Sequence, residues 1–175
     1  MRKSFIFLFP VLLFYSCSNR DSQNEKQSRA FHSDSLHFHI QLPPGWEARE
    51  QGHKAGILEP LTDSADHFRE NMVVWTEEMP VAIPDTEYTK LTCTELKIKN
   101  PETLIEQLPP LCTPDRCFGH FRFQFPLQPG IPCFVEGYTA VLGNRGYNFS
   151  CSFIDSTKNY PALFENLMHQ VKLEP

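Results

Sequence analysis

Phe38-His39-Ile40-Gln41-Leu42-Pro43-Pro44-Gly45-Trp46 is the stretch on which the reading of the fold turns. Leu36, Phe38, Ile40 and Leu42 alternate with His37, His39 and Gln41, the period of a strand with one buried face. Two prolines and a glycine then stop the strand, because neither proline can donate to a ladder. Trp46 follows that rigid turn and is expected in the core. A short strand over 46–50 can turn through Gln51-Gly52-His53-Lys54 into another over 56–58.

Further along, 60–69 is polar and without period, an excursion loop, and 72–76 is β-branched and aromatic, a strand. Pro84-Asp85-Thr86-Glu87 is a helix start, with Asp85 or Thr86 as the cap and acids at the positive end of the dipole. The helix runs to about Lys99, where Asn100-Pro101 ends it. At 100° per residue Tyr88, Leu91, Thr92, Leu96 and Ile98 share its inner side, leaving Cys93 outside. A short strand over 104–108 precedes a loop over 109–117. Segments 118–125, 133–142 and 147–154 read as a meander whose second turn is Gly143-Asn144-Arg145-Gly146. Pairing Leu142 with Tyr147 collects Tyr138, Ala140, Leu142, Phe149, Cys151 and Phe153 on one apolar face, with Cys133 on the other. Tyr160-Pro161 opens a final helix whose Tyr160, Leu163, Phe164, Leu167 and Val171 recur at helical spacing.

Upstream of the signature, the chain states an address. Arg2 and Lys3 precede an apolar run over 5–15 that Ser16 and Cys17 close, the plan of a secretory signal too short to span a bilayer. The placement of Cys17 resembles the lipobox of bacterial lipoproteins, in which the cysteine is lipidated and becomes the mature N-terminus. The alternative is a plain signal peptide with an incidental cysteine. On the lipoprotein reading residues 1–16 are the signal peptide, 17–30 the lipidated cysteine and a flexible polar tether, and 31–175 one domain. Ser18, in place of an aspartate after the lipidated cysteine, implies by the same resemblance an outer-membrane lipoprotein facing the periplasm.

The nine-residue signature resembles the opening of the PsbP-like superfamily, roughly F-x-I-x-L-P-x-G-W, with its periplasmic and lipoprotein relatives of the DcrB type. The resemblance implies an α+β fold over nearly the whole mature domain. It would be an antiparallel β-sheet flanked by helices, in an α/β/α sandwich. That fold hosts unrelated functions, so it transfers little chemistry.

The formal net charge is −5, and loss of Arg2 and Lys3 makes the mature chain more acidic still. An acidic surface without basic clusters argues against nucleic acid. No GxSxG, HExxH, P-loop or dinucleotide-binding glycine pattern is present, so nothing supports a hydrolase or a nucleotide enzyme, and no cofactor is implied. With Cys17 lipidated, Cys93, Cys112, Cys117, Cys133 and Cys151 remain. Cys112 and Cys117 flank a turn and are the pair easiest to close locally; a disulfide there and two unpaired thiols both stay open. A cysteine nucleophile would need His120 or His169 as its base. Cys151, between Phe149 and Phe153, reads instead as a core residue. His37 and His39, two apart on a strand, are weak metal candidates; a further ligand is needed, and His53, His67 and Glu47 qualify only by type. The expectation is a membrane-anchored periplasmic lipoprotein, not an enzyme, acting as a binding or assembly factor for another envelope protein. The alternative is a small-ligand or metal-binding domain.

Overall fold

The computed structural model describes residues 28–61, 68–154 and 157–175. The signal, Cys17, most of the tether and the middle of the loop over 60–69 lie outside those residues. The alternating run becomes β2 (Phe38–Leu42), with Phe38, Ile40 and Leu42 buried. It pairs on one side with β1 (Arg29–Ser33) and on the other with β10 (Lys172–Leu173), a three-stranded sheet that the sequence did not announce. β1 carries a single large apolar residue, Phe31, so it has no readable period. β10 is only two residues long.

The larger sheet is antiparallel and seven-stranded. It contains β3 (Glu47–Gln51), β4 (Lys54–Leu58), β5 (Asn71–Glu78), β6 (Ile105–Cys112), β7 (Cys117–Gln128), β8 (Ile131–Leu142) and β9 (Arg145–Phe153), in the order β3-β4-β5-β9-β8-β7-β6. One face carries Met72, Val74, Phe118, Tyr138, Phe149, Cys151 and Phe153, all buried. The small sheet closes over it, with Phe38 edge-on to Phe149 at 6.2 Å. Helix α2 (Tyr160–Met168) packs on the same face through Phe164, whose ring lies 6.4 Å from Trp46 and 6.2 Å from Phe153. The Asn159 side chain caps α2 by accepting from the Ala162 amide.

Helix α1 (Asp85–Lys99) lies against the opposite face, over β7 and β8. Two glycines let it come close: a Cβ at Gly119 would strike Thr89, and one at Gly146 would strike the Tyr88 ring. Tyr88 donates to Glu77 and accepts from Asn148 Nδ2 at 2.5 Å, while Thr89 meets the Thr139 hydroxyl at 2.8 Å. Burial, reinforced by the Glu77 carboxylate, raises the Tyr88 pKa.

Four expectations are corrected. The inner side of α1 carries Tyr88, Thr89 and Cys93, whereas Leu91 and Ile98 are exposed. The cause is polar anchoring: hydrogen bonds to Glu77, Asn148 and Thr139 outweigh a weak apolar stripe. Asp85 does not cap; Pro84 holds the N-cap position, and Asp85 Oδ1 instead accepts from the Val141 amide at 2.5 Å, with Arg116 Nη2 at 3.5 Å. The loop expected over 109–117 is mostly strand, because β6 is an edge strand with a bulge between Leu108 and Leu111, where prolines cost no ladder bond. The β8–β9 register is two residues tighter than expected: Leu142 pairs with Arg145, and Gly143 at φ 64 opens a two-residue turn. A shift of two preserves parity, so the apolar face is as read. Cys133 is on the other face but is buried there too.

Candidate functional site

Asn100-Pro101 ends α1, and Lys97 Nζ donates to the Thr103 carbonyl at 2.8 Å, holding the connection back against the helix. That connection delivers Leu104 to the surface, where it is 84 % exposed, beside Ile98 at 72 %. Between helix and edge strand runs an open groove of ≈ 630 Å³, lined among others by Cys93, Ile98, Pro101, Leu104 and Ile105. Burial raises the Cys93 thiol pKa, opposed by a hydrogen bond with Gln107.

The groove continues onto the sheet. Ile105 pairs with Phe123 and Gln107 with Phe121, so these side chains share the face on which α1 lies. Phe121, Phe123 and Phe125 form a ladder with ring centroids 6.3 Å apart at each step. Phe121 is buried over Gly137, where a Cβ would strike its ring, whereas Phe123 and Phe125 are partly exposed. Phe121 is therefore core, while the outer two rungs extend the apolar surface. The sequence reading missed this surface because it turned Ile98 inward. The one available signal was Leu104, an apolar residue after a helix stop and ahead of an edge strand.

Cys112 and Cys117 face one another across the β6–β7 hairpin, with Cα atoms 3.9 Å apart, and are joined by a disulfide. Among the described residues Cys93, Cys133 and Cys151 are free and buried. Burial pushes Cys133 up to about 11 and Cys151 well above the ordinary thiol value, with the Glu136 charge adding to the latter. An activated nucleophile needs the reverse shift. His120 is turned to another partner: its Nε2 lies 2.7 Å from Glu136 Oε2, both groups buried, and its ring stacks on Tyr138 at 4.5 Å.

His37 and His39 do not form a pair. His37 sits in the β1–β2 turn at φ 53, off the strand alternation, and its Nδ1 lies 3.3 Å from the Pro175 carbonyl oxygen. His39 instead faces His32 on β1 and Glu174 after β10, with His39 Nδ1 3.0 Å from Glu174 Oε1. His53 is exposed on the β3–β4 turn, Glu47 meets Arg49, and His67 lies outside the described residues.

No known protein family profile and no curated protein sequence matches the chain. Solved structures do. The yeast Ran-binding protein Mog1p from Saccharomyces cerevisiae aligns with a TM-score of 0.58 at 11% identity, over 85% of this chain and 96% of its own. Cyanobacterial PsbP from Synechocystis sp. PCC 6803 aligns with a TM-score of 0.56 at 10% identity, over 91% of this chain and 98% of its own. A crystal structure from Bacteroides thetaiotaomicron aligns with a TM-score of 0.55 at 15% identity over 85% of this chain, which spans about half (49%) of that longer protein. Element order, a mostly antiparallel sheet with two helices and these likenesses together give the chain the PsbP-like α+β fold shared by cyanobacterial PsbP and Mog1p.

Proposed function

We propose that this chain is a membrane-anchored periplasmic lipoprotein whose domain is a non-enzymatic binding or assembly factor for another envelope protein. Cys17 carries the lipid, 17–30 is the tether, and the two helices on opposite faces of the large sheet make an α/β/α arrangement. The observation that carries the reading is the apolar surface beside α1: Leu104 and Ile98, 84 % and 72 % exposed, line one groove with Ile105, which pairs with Phe123, the neighbour of Phe125 in the aromatic ladder. An aliphatic pair left that open beside a stacked aromatic ladder is the kind of patch that marks a protein interface. Mog1p, named as a Ran-binding protein, is an instance of this fold used for binding.

A photo-crosslinking residue at position 104 of the full-length protein, activated in native membranes, tests this. The reading expects one discrete adduct with an envelope protein, lost when Ile98→Asp and Phe123→Asp are introduced. Because Ile98 is largely exposed, Ile98→Asp alone should change stability by no more than about 0.5 kcal/mol. An adduct pattern unchanged by both substitutions, or adducts with lipid alone, would remove the surface from the proposal.

A further inference from the structure

We propose that His32, His39 and Glu174 form a site for one divalent transition-metal ion of the zinc class, clamping the C-terminus onto the N-terminal hairpin. His32 and His39 are register partners on β1 and β2, so their rings leave the same face of the small sheet. Lys172 pairs with His39, and the Glu174 amide donates to the His37 carbonyl at 2.8 Å, which brings the Glu174 side chain to both rings. Its Oε1 lies 3.0 Å from His39 Nδ1 and 3.5 Å from His32 Nδ1, and one donor atom from each residue lies within 4.8 Å of the others. Around a tetrahedral ion with ligands at about 2.0–2.1 Å, neighbouring donors stand roughly 3.3 Å apart. Both nitrogen–oxygen separations bracket that edge, so small ring rotations suffice.

Asp34 supplies a second, independent observation. Its Oδ1 is 2.7 Å from His32 Nε2. A carboxylate only accepts, so His32 donates from Nε2 and a neutral ring points its Nδ1 lone pair at the Glu174 oxygen. Two acceptors so placed repel unless a metal ion, or a second ring proton, lies between them. A carboxylate behind the ligating imidazole is the usual outer support of a metal-bound histidine, fixing its tautomer and orientation. Two imidazoles and one carboxylate, with a position left for water, suit zinc better than magnesium or calcium, which take oxygen ligands. His32, His39 and Glu174 are 47 %, 38 % and 37 % exposed at the side chain, open to an ion from solution. The cluster lies on the small sheet, across the large sheet from the apolar surface, and does not depend on that surface binding a partner.

The full chain, stripped with a chelator and dialysed, is titrated with zinc sulfate by calorimetry while its melting temperature is followed. The expected result is one zinc per chain at micromolar affinity or tighter, with a rise in melting temperature. His39→Ala and Glu174→Gln should each weaken binding at least tenfold, and Asp34→Asn by about 10–100-fold, the usual cost of losing such a support. His37→Asn, which keeps a residue tolerant of positive φ, should bind as the parent does. Absence of a zinc response in the parent chain, or equal affinity in the parent and His39→Ala, overturns the site. A melting temperature insensitive to zinc but lowered by Glu174→Gln also overturns it, identifying an imidazolium–carboxylate clasp in its place.

Discussion

Trp46 is 8 % exposed behind the Pro43-Pro44-Gly45 turn, its ring edge-on to Phe164 and its amide bonded to the Pro43 carbonyl at 3.1 Å. It therefore ties the exit of β2 to α2, across most of the chain. Trp46→Ala should cost about 3–5 kcal/mol, the range for emptying a large aromatic site, read as a lower denaturant midpoint. An unchanged midpoint would mean that the ring contributes nothing to the core. This position was legible because a rigid turn beside an alternating strand leaves a large aromatic one place to go. Cys151 was legible for the same local reason, flanked at i ± 2 by Phe149 and Phe153. Asp85 was not. A helix-start aspartate reads as a cap, and nothing nearby in sequence says that its carboxylate belongs to the Val141 amide, 56 residues away. His32 escaped for a like reason, since its partners His39 and Glu174 are brought to it only by register and by the C-terminal strand.

The same contrast holds among elements. The long strands, the β3 edge and α2 follow from local periodicity and α1 from its start and stop signals, but β1, β10 and the second half of β6 do not. The second half of β6 contains Pro109 and Pro110 and reads as loop, yet the strand continues through it because among the described residues its outer side has no neighbour to satisfy. The Cys112–Cys117 bond sits at the tip of this outermost hairpin. On the chain-entropy account, closing so short a loop contributes about 2 kcal/mol. Among the described residues β6 pairs only with β7, so reduction should act locally. Amide exchange after reduction is expected to quicken around Leu111 and Phe118 and to stay slow in β8 and β9. Faster exchange throughout β8 and β9 would show that the bond supports the whole sheet.

For the whole molecule, the proposed anchor and the proposed partner surface fall on different sides of the large sheet. The chain enters at Arg29 into β1, on the small sheet, whereas Ile98, Leu104 and Phe123 belong to the face carrying α1. An anchor attached ahead of β1 thus leaves the apolar surface on the far side of the sheet, free for a partner. Among the described residues no helix is long and apolar enough to cross a membrane. Two or more acyl chains, at about 0.8 kcal/mol per buried CH₂, hold a protein stably where one chain does not. If Cys17 is the anchor, Cys17→Ser should move the protein from the membrane pellet to the soluble periplasmic fraction. The released protein should still crosslink its partner through position 104, only at lower yield because the partner is no longer held nearby. The reciprocal variant, Ile98→Asp with Phe123→Asp, should stay in the pellet and lose the adduct. If Cys17→Ser remained in the pellet in high salt while the Asp variant left it, the apolar surface would be the membrane contact and Cys17 would carry no anchor. Fractionation of the two variants side by side decides which of these holds, because each reading assigns the pellet to a different face of the same sheet.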